Sequence, residues 1–292
     1  MFKRLIFVFA LVATFVLNGC GGGGGSSLPS EPSDSQKASL NSANSKKAAL
    51  SSFKSTGILK DSDLSDIYGS NINSINKNLR AVSKEAKSLA FRVVAYSEDY
   101  DCDSGYAKVD KVSDSKAEVE YHNCYIDGVK YSGNATVEQI NSSYVKVTFE
   151  DFQASDDSEK LYIDYAIFEI DQATSMVKIK KAYLTQSNGS KKIKFLNYNT
   201  SYIYDSSNDR GTLTFSGWVD SDCLGGYVYI KSTPEISFND YDNIEGSFEI
   251  SSKGKKVTVE FDEDVVYITD TDGVQESMLL EDIDDELDNL CP

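Results

Sequence analysis

The sequence is poor in the residue types on which many enzymes and nucleic-acid-binding proteins rely. It has one histidine and one tryptophan in 292 residues, and 29 basic residues stand against 46 acidic ones. A net charge of −17 repels nucleic acid and anionic headgroups, so we expect neither to be a direct partner. Any Ser-His-Asp or Cys-His mechanism would have to use His122, which lies in a predicted strand two residues before Cys124.

Several motifs that carry chemistry are also missing from the sequence. There is no Gly-x-Ser-x-Gly elbow, no P-loop and no Gly-x-Gly-x-x-Gly, and without a CxxC and a second histidine a zinc site is not indicated. Sugar clefts commonly use several aromatic side chains, a role that tyrosines would have to share with the single tryptophan, Trp218. Carboxylates are so numerous that no acid pair stands out. We therefore expect no enzyme and no cofactor, and an acid-pair hydrolase is the least favoured function.

A short acidic stretch near the C-terminus is a weak calcium candidate. Asp270 and Asp272 are spaced like the first ligands of an EF-hand loop. Counted from Asp270, the sixth position should be glycine but is Gln275, whereas the twelfth is the required glutamate, Glu281. The plainer interpretation is a strand-to-turn connection.

The first 25 residues indicate the compartment. Lys3 and Arg4 precede an apolar run from residue 5 to 17, which is too short to cross a bilayer and suits a signal peptide. The run ends in Leu17-Asn18-Gly19-Cys20, followed by five glycines. This stretch resembles a bacterial lipoprotein signal peptide with its lipobox, although Asn18 replaces the usual small residue.

That resemblance implies cleavage before Cys20, a diacylglyceryl group on its thiol and an amide-linked acyl chain such as palmitate. No aspartate follows Cys20, so the outer membrane is favoured, with the domain on its periplasmic or surface face. We predict a signal peptide at 1–19 and a flexible, lipidated tether at 20–36, rich in Gly, Ser and Pro.

The other four cysteines are an even number in an oxidising compartment, which favours two disulfides. Four cysteines allow three pairings. We predict Cys102–Cys124 and Cys223–Cys291, because each pair closes a local unit. Free buried thiols and a metal site are the alternatives.

Residues 37–95 are predicted to be helical. Residues 37–56 form a weak helix with a thin apolar side made of Leu40, Ala43, Leu50 and Phe53. A second helix carries a stripe with spacings of three and four: Ile72, Ile75, Leu79, Val82, Ala86, Leu89 and Val93. We expect this stripe to pack on the protein's own sheet beside residues 161–170, and a coiled-coil seam is the alternative.

Residues 96–292 are predicted to form an antiparallel β domain, because from Gly105 onward apolar and polar residues alternate, as in residues 117–121, 145–149, 212–215 and 257–261. Residues 161–170 are apolar on both faces, which predicts a strand covered on both sides. The stretches 117–124, 145–152 and 177–184 begin alike and each opens a two-strand unit, which predicts a meander. Residues 277–290 are predicted to form a final helix.

The predicted fold is therefore mainly β: an antiparallel meander forming a curved sheet, half-barrel or barrel, with N-terminal helices packed on it and a short C-terminal helix. The turn and strand motifs Cys102-Asp-Ser-Gly105, Asn123-Cys124, Asp127-Gly128, Ser132-Gly133, residues 226–233 and Glu245-Gly246 resemble uncharacterised β-rich lipoproteins of Gram-negative bacteria. That group implies no activity. We expect a membrane-anchored envelope lipoprotein whose β domain is structural or binds a protein partner, and the alternative is a carrier of an apolar ligand or lipid between helix and sheet.

Overall fold

The structure is a computed structural model that describes residues 28–56, 77–94, 101–171, 176–189, 191–205, 210–239 and 244–290. Within these ranges the chain forms three α-helices and one antiparallel sheet of fourteen strands. The helices are α1 (Ser42–Thr56), α2 (Lys77–Val94) and α3 (Ile283–Leu290), the last preceded by a 3-10 turn at Leu280–Asp282. The strands are β1 (Ser104–Ser113), β2 (Lys116–Ile126), β3 (Val129–Gln139), β4 (Tyr144–Ser155), β5 (Glu159–Asp171), β6 (Met176–Asn188), β7 (Lys191–Asp205), β8 (Arg210–Ser221), β9 (Val228–Ser232), β10 (Ile236–Asn239), β11 (Ile244–Ser252), β12 (Lys255–Glu263), β13 (Val265–Thr269) and β14 (Gln275–Leu279).

The sheet is a meander, as the sequence predicts. Each strand from β1 to β8 pairs with its chain neighbour, and the same holds from β10 to β14. β9 and β10 lie end to end between β8 and β11 and together fill one strand position. The hydrogen-bonded order begins at β1 and ends at β14, so the sheet has two edge strands.

One face of the sheet is buried and the other is partly exposed. In β5, Leu161 and Ile163 are fully buried while Tyr162, between them, is 42% exposed. The prediction that residues 161–170 are covered on both faces is therefore wrong. The aromatic and aliphatic residues of the outer face are apolar enough to mimic a double-sided pattern, but they lie on a surface that is only partly covered.

Helix α1 is buried on nearly every side, which its sequence does not indicate. All residues from 48 to 53 are buried, and the helix contacts β8, β11, β12, β13 and α3. The Phe53 and Phe261 rings are 5.2 Å apart, and the Ser51 hydroxyl bonds that of Ser221 at 2.7 Å. Ser55 donates its hydroxyl hydrogen to a carbonyl of its own helix, so serine can be buried at little cost.

The first helix begins at Ser42 rather than at 37, and Ala43, which we placed on its apolar side, is exposed. The small Ala and Ser side chains let α1 approach the strands closely. A pattern that counts serine as polar therefore predicts a weak surface helix where the structure has a central one.

Helix α2 packs on β3, β4 and β5, as predicted. Val82, Ala86 and Leu89 of the stripe are fully buried. Ile72 and Ile75 lie outside the described residues, and the same holds for the side chains of Leu79 and Val93. For the described part of the stripe, packing on the sheet is confirmed over an external coiled-coil seam.

The three similar stretches lie in β2, β4 and β6, each followed by its hairpin partner. Each contains a bulge, marked by a register shift and by a residue with φ near +50°: Asn123, Asp151 and Lys181. The first two occupy the same place in their stretch, and the third comes two residues earlier. Bulges bend strands and increase their twist, so repeated bulges curve the sheet around the helices.

The C-terminal segment differs from the prediction. Residues 277–279 belong to β14, where Ser277 pairs with Tyr267, and the helix begins only at Ile283. Backbone hydrogen bonds to β13 hold residues 277–279 in a strand, although their apolar spacing continues the helical pattern of the residues that follow. In the part of the chain that the structure describes, no helix has both the length and the apolar character needed to span a membrane.

Residues 28–38, most of which we assigned to the flexible tether, contact the sheet. The Asn197 side-chain amide of β7 donates a hydrogen bond to the Ser30 carbonyl at 3.3 Å. The Gln36 carbonyl accepts a bond from the Tyr227 amide, and the Ala38 amide donates to the Tyr227 carbonyl. Ala38 is buried in the core. The chain thus passes around one end of the sheet from its outer face to its helix-covered face.

Candidate functional site

The structure describes three of the five predicted site cysteines, Cys102, Cys124 and Cys223. Cys102 and Cys124 form a disulfide, with Cα atoms 5.3 Å apart, which confirms that pairing. Cys223 also takes part in a disulfide. Its predicted partner Cys291 lies outside the described residues, so the second pairing stays a prediction. Cys20, the predicted lipid site, lies outside them too.

His122 lies on the outer face of β2, near the edge of the sheet. Its ring stacks on Tyr106 with centroids 4.5 Å apart, and its Nε2 is 3.0 Å from a Glu120 oxygen. The side chain is 39% exposed. The His122 ring thus contacts a tyrosine on its face and a carboxylate at Nε2.

The weak calcium candidates fold as a turn. Asp270 Oδ1 accepts hydrogen bonds from the backbone amides of Asp272 and Val274 at 2.8 and 2.9 Å. A side-chain oxygen that caps its own turn in this way is typical of an Asx turn. Among the described residues, no group of three His, Cys, Asp or Glu side chains is arranged to hold a metal ion.

The structure brings together a set of aromatic and acidic residues that the sequence analysis did not assemble. We call it the Trp218 cluster, and it lies on the outer face of β8 and β9. It consists of Lys37, Trp218, Asp220, Tyr227 and Tyr229. The Trp218 and Tyr229 rings meet edge to face at 5.3 Å, and the Lys37 Nζ lies 5.1 Å from the Trp218 ring centroid.

Local folding explains how these side chains come to share one face. Trp218 and Asp220 alternate along β8 with buried Val219, and Trp218 pairs in register with Tyr229 of β9. Lys37 arrives on the N-terminal segment, which bridges to Tyr227. The ammonium of Lys37 stays over the ring because Asp34 holds it at 3.0 Å.

Partial burial shifts the acid–base equilibria of this surface. Desolvation raises the pKa of Asp220, and the neighbouring Lys194 ammonium, 3.9 Å away, and a hydrogen bond from the Gly226 amide oppose that rise. Desolvation also raises the pKa of Tyr227, and the charges of Asp220 and Asp164 add to the effect. Asp164 of β5 therefore lies within electrostatic range of Tyr227, which directly precedes β9.

Asp164 is the second carboxylate of this surface. Desolvation raises its pKa, and the nearby Asp151 carboxylate raises it further. Asp151 in turn accepts a hydrogen bond from the Tyr162 hydroxyl at 3.2 Å. The surface thus combines half-buried aromatic faces with one half-buried carboxylate, Asp220, and one exposed carboxylate, Asp164, and both features favour a positively charged ligand group.

The alternation in β8 and β9 could have identified Trp218 and Tyr229 as neighbours, given the correct register. No sequence signal links Asp164 or Lys37 to them. Comparison of the chain with protein-family models, with curated proteins and with solved structures finds no significant match.

Proposed function

We propose that this protein is a lipid-anchored envelope protein whose β domain binds a basic protein segment without catalysing a reaction. The lipid is attached at Cys20, and the outer membrane is the favoured location. The observation that carries the binding role is the Trp218 cluster, in which aromatic faces and a half-buried carboxylate share one partly exposed surface.

The chemistry of the cluster selects the class of partner. The face of a tryptophan attracts ammonium and guanidinium groups, and Lys37 already occupies one such position at 5.1 Å. Asp220 adds negative charge at a half-buried site where water screens it less than in bulk, and Asp164 adds a second, exposed negative charge. A lysine- or arginine-rich peptide segment satisfies both features, and the net charge of −17 would steer it towards the domain.

The packing supports a binding or structural role over an apolar carrier. Phe149, Phe152, Leu161 and Ile163 of β4 and β5 expose 0% of their surface, and they lie on the face that α2 covers. A cavity of several hundred Å³ would leave its lining residues accessible. These four side chains have no accessible surface under α2, which is the packing expected of a scaffold.

The anchor is tested by metabolic labelling of the full chain with radioactive palmitate. Cys20→Ala should abolish labelling and release the protein from the membrane fraction, since two or more acyl chains provide the stable attachment. Ser26→Ala, a few residues further on, is the matched control and should label normally. Labelling of Cys20→Ala at the native level would refute the lipid anchor.

Binding at this surface can be followed by the intrinsic fluorescence of Trp218, because it is the only tryptophan in the sequence. We expect a tryptophan-free, arginine- and lysine-rich peptide to change the Trp218 fluorescence in a saturable manner, with weaker binding at higher salt. Asp220→Asn should weaken binding several-fold. Glu118→Gln, an exposed carboxylate on β2, is the control and should not.

Two results would contradict the binding proposal. The first is a fluorescence signal that does not change up to millimolar peptide. The second is binding that is equally affected by Asp220→Asn and by Glu118→Gln, because it would indicate attraction to the overall negative charge rather than to the cluster. Neither result bears on the lipid anchor.

A further inference from the structure

The first strand of the sheet is an edge with an uncommonly exposed outer face. β1 comes first in the hydrogen-bonded order, and among the strands that the structure describes it pairs with β2 alone. Its alternate residues Ala107 and Val109 pack against the core, which places Tyr106, Lys108, Asp110 and Val112 on the outer face. Tyr106 is 57% exposed and Val112 is 53% exposed. A long edge of this kind can add a further strand by backbone hydrogen bonding.

Contacts within the chain itself fix the position of β1. The Cys102–Cys124 disulfide fixes the chain just ahead of β1, and the Asp103 amide bonds the Tyr125 carbonyl at 2.8 Å. Gly105 lies so close to β2 that a Cβ atom there would be 2.1 Å from the Asn123 carbonyl oxygen. A strand fixed in this way loses little conformational entropy on pairing, which lowers the cost of association.

We propose that β1 pairs antiparallel with β1 of a second copy of this chain, on a two-fold axis that passes beside Val109. The observation that selects a second copy is self-complementarity. With Val109 opposite its own symmetry mate, Lys108 of each copy faces Asp110 of the other, and Tyr106 of each copy faces Val112 of the other. Two opposite-charge pairs thus lie at the centre, and two exposed apolar pairs flank them.

Neighbouring registers do not share this complementarity. A two-fold axis on Lys108 would place two lysines opposite each other, and an axis on Asp110 would place two aspartates opposite each other. Like charges directly opposite in a sheet are destabilising. In the isolated chain Lys108 Nζ already lies 2.5 Å from Asp110 Oδ2, so both side chains extend over the same face and need only exchange partners.

The other edge gives a contrasting prediction. β14 is only five residues long, and its outer residues are Gln275, Ser277 and Leu279, so β1 could pair with it only over half the length of β1. Head-to-tail pairing of β1 with β14 is heterologous and would produce open chains or rings rather than an isologous dimer. A two-fold β1 pair closes at two copies.

The test is the mass of the purified full chain, measured by light scattering in mild detergent and corrected for the bound detergent. We expect two copies per particle at micromolar concentrations. Lys108→Asp should shift the protein to one copy, and so should Asp110→Lys, because each places like charges opposite. The double variant Lys108→Asp/Asp110→Lys restores opposite charges and should restore the dimer. Lys255→Asp, with the same charge change at an exposed position of β12, is the control and should stay dimeric.

Thermal melting of each variant verifies that the fold is retained. A monomeric native chain at these concentrations, open-ended polymers, or a dimer that Lys108→Asp leaves intact would each overturn the proposal. A dimer that both single variants disrupt and that the double variant fails to restore would also overturn it, since the charge pairing would not be the cause.

Discussion

Leu89→Ala is the most direct test of how the helical segment is held to the sheet. Leu89 lies on the stripe of α2 that packs on β3–β5, and its side chain exposes 0% of its surface. Leucine-to-alanine substitutions in such positions cost 2–5 kcal/mol, and the cost rises by about 24 cal/mol per Å³ of cavity that the surroundings fail to fill. The neighbouring strands belong to a continuous hydrogen-bonded ladder and cannot move inward easily, so we expect a loss of about 3 kcal/mol.

A loss of that size should lower the melting temperature by roughly 6–12 °C for a domain of this length. The assay is thermal unfolding followed by circular dichroism at a fixed scan rate. Lys84→Ala on the same helix is the matched control. Its side chain is 74% exposed and its ion pair with Asp127 is a surface pair, so its removal should cost less than about 1 kcal/mol.

An unchanged melting temperature for Leu89→Ala would refute the intramolecular packing of α2. If the same variant also lost self-association, the stripe would be the seam of an external coiled coil. A comparable loss for Lys84→Ala would show that any change in this helix is destabilising, and the argument from burial would fail.

Three further predictions follow from individual contacts. Replacing Cys102 and Cys124 together by serine should destabilise the domain by about 3 kcal/mol, since the disulfide closes a loop with a sequence separation of 22, and chemical denaturation checks this value. Burial lowers the pKa of Lys87 to about 8 from 10.5, so the unfolded chain binds more protons than the folded one between these values and this lysine makes stability rise with pH from about 8 to 10.5. Lys87→Met should remove that rise and stabilise the protein at pH 7 by about 1 kcal/mol, after allowance for partial exposure; equal pH profiles would contradict it. Gly133→Ala should lower the melting temperature by several degrees, because its Cβ would lie 2.2 Å from the Asp151 carbonyl oxygen at a φ of +111°, and a variant as stable as the native chain would show that the bulge is not tightly packed.

Neither the Trp218 cluster nor the central position of α1 could be predicted from the sequence, because both depend on contacts between distant segments. A strand pattern indicates which residues share a face of one strand, but not which strands the sheet's curvature brings near each other. Asp164 and Tyr227 are 63 residues apart in the chain and act on each other electrostatically because β5 and β9, which Tyr227 directly precedes, belong to one bent sheet. Likewise, Ser51 and Ser55 of α1 count as polar in a hydrophobicity pattern, although their hydroxyls are bonded to β8 and within the helix.

The meander, the Cys102–Cys124 bridge and the docking of the second helix were predicted from the sequence. The meander and the docked helix depend on short-range information: alternation along a strand, a turn such as Asp127-Gly128, or spacings of three and four along a helix. The bridge was the pairing that closes a local unit among the three pairings that four cysteines allow. The tertiary structure alone decided which side of residues 161–170 is exposed, that residues 277–279 pair with β13, and that the N-terminal segment lies against β7 and β9. These outcomes depend on backbone hydrogen bonds and burial between distant segments, which compete with local propensity and override it wherever a ladder or a core provides more partners.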